Sequence, residues 1–212
     1  MLHYWISFSL GMKRKRVAVR DSLKASLKDG ACAAFMGGVT EHYAIPLALF
    51  FGASVQQIGL VSALPNLLAS LSQFLAVRVI YLVGGRVKLL VRLVLAQATL
   101  IGCIAVLSWT GTPWRVELLL VCLILAAVSG GLAGPAWGSL MSDYVPASKR
   151  GRYFGWRNRL VGAVTIGTIL AAGLLLSFFR ESSYHLGFAI LFLLAALARY
   201  FSAYFISRMG EP

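Results

Sequence analysis

Residues 117–141 read ELLLVCLILAAVSGGLAGPAWGSLM, and residues 143–159 after them read DYVPASKRGRYFGWRNR. Glu117, at the very start, is the single charge of the first stretch. As a helix that stretch is long enough to cross a hydrocarbon layer of ~30 Å, which takes about 20 apolar residues. It shows no period-two alternation and exceeds the ~10 residues of a barrel strand. A helix is then the way its backbone can be satisfied in lipid. The second stretch is dense in Lys and Arg. An apolar run of span length that stops at a basic cluster reads as a transmembrane helix whose end lies in the cytosol.

The same pattern recurs outward in both directions. Spans are predicted near 30–51, 57–83, 89–109, 117–141, 160–179 and 184–206, giving an all-α membrane protein of six transmembrane helices. The connections alternate in character. Those at 52–56, 110–116 and 180–183 hold only Arg115 and Arg180 as basic residues, with Glu117 and Glu181 nearby. The other side holds Lys13, Arg14, Lys15, Arg16, Arg20, Lys24 and Lys28, then Arg86, Lys88 and Arg92, then Lys149, Arg150, Arg152, Arg157 and Arg159, then Arg208. The positive-inside rule places that side, and both termini, in the cytosol of a cytoplasmic (plasma or inner) membrane. Helices 1–3 start inside and helices 4–6 outside, as a 3+3 inverted repeat requires. Residues 1–28 read as a basic cytosolic leader, 29–208 as the membrane domain and 209–212 as a short, truncated end. The leader is apolar then basic, the reverse of a signal peptide, and Met12 is a candidate true start.

Composition agrees along the whole chain. Of 212 residues, 59% are hydrophobic and 13% charged, against about 45–50% and about 25% in soluble domains. A net charge of +13 would by itself fit nucleic-acid binding. Here the basic residues fall in short clusters between apolar runs, which argues against that. Cys32, Cys103 and Cys122 stand singly within apolar stretches and read as buried small hydrophobes, not as disulfides or metal ligands. No HExxH or GxSxG string occurs, and His3 and His185 lie near opposite faces, so an enzyme, a metal and a cofactor are not expected.

Polar residues inside the spans are the functional candidates, because an ionisable group in lipid is costly unless paired or wetted. Glu41 and His42 fall near the midplane of helix 1 and are candidates for a proton site or a solute contact. A hydrogen bond to a neighbouring helix is the alternative for Glu41. Pro46 and Pro65-Asn66 interrupt helices 1 and 2, and such breaks often flank transport paths. Asn66, Gln73 and Trp137 are further pathway candidates, while Gln73 and Gln97 also suit simple helix bridging. Gly130, Gly134 and Gly138 recur every fourth residue, a stripe that lets a second helix approach. Arg78 and Arg199 lie where snorkelling to the cytosolic headgroups is open to both, with a second role equally open for Arg199. Asp143 sits at a helix C-terminus, where negative charge is unfavourable. A partner is expected from Arg150, Arg152 or Arg157 in the following loop.

Asp143, Pro146, Arg150, Gly151, Phe154 and Gly155 form D-x-x-P-x-x-x-R-G-x-x-F-G. This string resembles the loop between helices 4 and 5 of major facilitator superfamily transporters. Asp29-Gly30, Gln57-Ile58-Gly59-Leu60 and Leu64-Pro65 look like the start of such proteins, so the resemblance covers roughly residues 20–206. It implies a proton- or gradient-coupled carrier of a small solute, working by alternating access, with helices 1 and 4 lining the path. The family's 2–3 loop is matched at its basic end by Gly85-Arg86-Val87-Lys88, but Leu82 stands at the acidic position and Arg78 at the first glycine. Gly134-Pro135 lies in helix 4 and not in helix 5, so export is not implied. The family has two six-helix halves and this chain resembles the N-terminal one, as a fragment or as one of two pairing copies. The implied partners are the bilayer, the solute and protons, and a second six-helix half. A non-transporting remnant and a structural or receptor-like membrane subunit are the other readings.

Overall fold

The computed structural model describes residues 2–180 and 183–211, with side chains from residue 19 onward. The expectations for Glu181 and Pro212, and for the side chains of His3, Met12 and Lys13–Arg16, fall outside what is described. Every regular element is helical among the described residues. α1 spans Leu2–Phe50, α2 Val55–Ser72, α3 Ala76–Val83, α4 Arg86–Leu107, α5 Arg115–Tyr144, α6 Ala147–Phe178 and α7 Tyr184–Ser207. A 3-10 turn, Gln73–Leu75, joins α2 to α3, so Val55–Val83 runs on as one rod.

Five rods are long and apolar enough to cross a membrane: Val55–Val83, Arg86–Leu107, Arg115–Tyr144, Ala147–Phe178 and Tyr184–Ser207. The span expected near 30–51 is not in that set, because Glu41 and His42 dilute its apolar content. It is instead the second part of one unbroken helix that already begins at Leu2. Residues 2–28, expected to be a separate leader, are therefore helical and continuous with residues 30–50. Long basic side chains keep good helix propensity, so a change from polar to apolar composition does not stop a helix.

The region after α5 differs in the same way. The sequence predicts a loop across Asp143–Asn158, yet only Val145 and Pro146 separate α5 from α6. Pro146 lies just ahead of α6 with φ −54°, a geometry suited to a helix start. Lys149 to Arg159, with Gly151 and Gly155 among them, form the first turns of α6. Pro46, Pro65 and Pro135 are each carried inside a helix without ending it.

α4 lies between α5 and α7; α7 packs on α1; α1 packs on α6; and α2 packs on α5. α1 and α2 touch more lightly, which leaves one side of the bundle open. Two apolar cores stack along the bundle. One joins Val39, Leu47, Ile101, Ile104, Leu119, Leu191 and Phe192. The other joins Leu89, Leu90, Val94, Leu140, Met141, Ala203 and Ile206. On α1, α4 and α7 the residues between these cores are polar: Asp29, Gln97, Arg199 and Ser202, all buried. Large apolar side chains such as Phe74, Val77, Ile166, Leu170, Leu174 and Phe178 face outward.

Candidate functional site

The light contact between α1 and α2 opens a cleft of about 510 Å³. Thr40 and Glu41 enter it from α1, Ser62 and Asn66 from α2, Gln73 from the 3-10 turn and Gln97 from α4; Gly130 and Gly131 form part of the α5 wall. Asn66 donates through Nδ2 to the Ser62 carbonyl at 3.0 Å, next to the point where Pro65 has no N–H to give. Thr40 donates to the Met36 carbonyl at 3.0 Å. The cleft thus gathers Glu41, Asn66 and Gln73 of the pathway candidates. His42 is exposed but is not among the cleft-lining side chains. The step of ~100° between neighbours on a helix turns it away from Glu41.

Trp137 lies elsewhere. It borders a second, smaller chamber with Asp29, Arg157 and Arg199. Arg199 does not snorkel: it is 8% exposed. Its Nε and Nη2 donate to Gln97 Oε1, at 2.9 and 2.5 Å, and its Nη1 donates to Ser202 Oγ at 3.0 Å. Ser202 in turn donates to Asp29 Oδ1 at 2.6 Å, and Gln97 Nε2 donates to the Ala126 carbonyl at 2.7 Å. One polar layer therefore ties α1, α4, α5 and α7 through groups that are each hydrogen-bonded, the condition under which buried polar atoms are tolerated. Sequence reasoning named Asp29 only as part of the family likeness, at the start of the membrane domain, and gave it no role in the site. Arg78, by contrast, is exposed on the outside of α3.

On the face expected to be cytosolic, Asp143 does find a cation, but it is Arg86. Arg86 Nη1 lies 2.7 Å from Asp143 Oδ2 and 3.0 Å from Ser139 Oγ. Arg150 instead caps α5, donating to the carbonyls of Val145 at 3.0 Å and Ser142 at 2.8 Å, which offsets the negative helix end. Arg152 and Lys88 are exposed, and Arg157 turns inward toward Asp29. Gly85 immediately precedes α4, where the Glu211 carboxylate accepts from the backbone N–H groups of Arg86 and Val87. Asp143 is 46% exposed and Arg86 22%, so solvent screens the pair. A double-mutant cycle of Arg86→Ala and Asp143→Asn is expected to give a coupling of only about 0.5–1 kcal/mol, read by thermal unfolding in detergent. A coupling of several kcal/mol would show the pair to be desolvated.

The glycine stripe is also displaced by one residue. A Cβ on Gly131 would fall 2.2 Å from both the Ala69 carbonyl and Ser72 Oγ, and one on Gly130 2.8 Å from Gln97 Nε2. Gly134 and Gly138 have nothing within 4 Å. The close approach of α2 to α5 is made at Gly131, with Gly130 giving room to Gln97.

A sequence model of the Major Facilitator Superfamily matches residues 30–211. The chain belongs to the Major Facilitator Superfamily. With five apolar rods, membership makes it a membrane transport protein for a small solute. Searches of curated proteins and of solved structures returned no match. In Major Facilitator Superfamily terms the matched region takes in α1 from Gly30 onward and every later helix, so the cleft, the Arg86–Asp143 pair and all of the polar layer except Asp29 lie within it.

Proposed function

We propose that the chain is the N-terminal half of a secondary transporter that moves its solute by alternating access. In this reading the second part of α1, from about residue 30, is the first of six spans. α1, the α2–α3 rod and α4 form one three-helix unit, and α5, α6 and α7 form its inverted counterpart. Both termini lie in the cytosol beneath a plasma or inner membrane, as the distribution of Lys and Arg favours.

The observation that carries this reading is the one-sided polar cleft of about 510 Å³. A cavity lined by carboxylate, amide and hydroxyl groups in an otherwise apolar bundle is a place for a hydrated or polar solute. Its open side needs a second six-helix body, from a C-terminal half or another copy. Glu41, at the cleft wall, is the proton-coupling group, with Asn66 and Gln73 as solute contacts. Arg86, Asp143 and the Arg150 cap form the cytosolic gate.

The test is pH-gradient-driven uptake into proteoliposomes, with Glu41→Gln compared to the parent in a chain joined to a second half. Gln keeps the size of Glu and can still hydrogen-bond, but it cannot take up or release a proton. Uptake should lose its dependence on the gradient. Coupling that survives the substitution would reject the assignment to Glu41, and absence of any flux with a second half in place would favour a non-transporting remnant.

A further inference from the structure

Beside Gly130, which borders both spaces, the cleft adjoins the smaller chamber of about 190 Å³. Two guanidinium groups, Arg157 and Arg199, face this chamber with one carboxylate, Asp29. The surroundings therefore carry one uncompensated positive charge within an apolar bundle.

The two arginines are not equivalent. Arg199 uses Gln97 and Ser202 as acceptors, and Ser202 passes the interaction on to Asp29. Arg157 Nη2 stops 4.0 Å short of Asp29 Oδ2, beyond hydrogen-bond length. Its guanidinium lies over the Trp137 ring, 4.3 Å from the centroid. Arg157 Nε is buried and meets no acceptor among the described residues; Trp137 Nε1 is directed toward Asp29 but has no acceptor within hydrogen-bond length among them. Both unsatisfied groups are donors, and both belong to chamber-lining residues. Buried donors and buried charge are stable only when an acceptor or counter-charge meets them.

We propose that this chamber binds the carboxylate end of a small organic anion. A planar guanidinium fork suits a carboxylate, and an indole N–H adds a third donor. At ~30 Å³ per water molecule, 190 Å³ takes a carboxylate with a few carbons. The rest of the molecule extends past Gly130 into the larger cleft. Gly134, with nothing within 4 Å of where a Cβ would stand, keeps the chamber open. The inference rests on the reading of the cleft as the solute path and assigns that solute a negative charge.

The experiment measures binding, not flux, on the whole chain in a neutral detergent. Acetate, propanoate and benzoate are titrated against acetamide, propanamide and benzamide, with unfolding temperature and equilibrium binding of labelled benzoate as readouts. At least one acid should stabilise the protein saturably while its amide does not. Arg157→Gln should weaken that binding by about tenfold or more, the scale of a charge-assisted pair. Gly134→Leu, which fills the chamber and leaves every charge in place, should abolish it. Equal behaviour of acids and amides, no binding by any acid, or wild-type affinity in both variants would overturn the proposal. So would saturation by phosphatidylglycerol alone, which would make the chamber a lipid-headgroup site. Carboxylate binding without flux would instead sink the transport reading, and flux of neutral solutes without carboxylate binding would sink only this one.

Discussion

Gly131→Val should give a protein that barely folds. The position where its first side-chain carbon would stand is 2.2 Å from a main-chain oxygen, Ala69 O, and equally close to Ser72 Oγ. Neither can rotate out of the way at low cost. Ser72 is buried and donates to Ala69 O at 2.7 Å and across the interface to Val128 O at 3.2 Å. Relieving the clash means separating α2 from α5 and breaking that tie. Overpacking usually costs about 1–3 kcal/mol, and a clash against main chain belongs at or above the top of that range. Against a total stability of roughly 5–15 kcal/mol, the expected readout is loss of most monodisperse protein and a large fall in unfolding temperature in detergent. Gly134→Ala and Gly138→Ala are the controls. Both positions are open and helical, so replacing Gly should be neutral or stabilise by up to about 1 kcal/mol. A Gly131→Val protein that unfolds with the controls would show that α2 and α5 are not in contact there.

Arg199→Leu is expected to cost about 3–5 kcal/mol, the scale for removing one member of a buried charge network. Leu leaves Ser202 without its donor and Gln97 Oε1 without its partner. It also removes one of the two cations that compensate Asp29, the one linked to it through Ser202; Asp29 is 3% exposed. Arg157, at 4.0 Å from that carboxylate, covers part of the loss. The diagnostic is the double variant. Gln97→Leu together with Arg199→Leu removes the orphaned acceptor while Asp29 keeps Arg157, and should recover part of the lost stability. Equal stability of the single and double variants would mean that Arg199 acts by packing alone. Added salt should change little, because the network is shielded from solvent, unlike the half-exposed Arg86–Asp143 pair.

Both predictions turn on residues whose role was only partly visible beforehand. The glycine-rich stretch of α5 marks a close helix contact by composition. Which glycine makes it depends on the rotation of α5 about its axis, and the four-residue repeat pointed one position away from Gly131. Arg199 stands out as a charge in an apolar run, but its partners lie 102 and 3 residues away and its counter-charge 173 residues from Ser202. Asp29 and Arg157 were obscured for a different reason. Each stands amid other charges, where composition suggests leader or loop, yet α1 and α6 run helically through those stretches and turn both side chains inward.

Apolar runs of span length, their basic connectors and the family likeness were legible because hydropathy and motif spacing are local properties that sum along the chain. They required an all-helical membrane protein and drew attention to Glu41, Asn66 and Gln73. Tertiary packing alone decided that these three share one cleft while His42 does not, that Asp143 pairs with Arg86, and that Asp29, Gln97, Arg199 and Ser202 form one buried layer. Such meetings depend on the axial rotation and relative height of separate helices, and no local pattern in the chain encodes either.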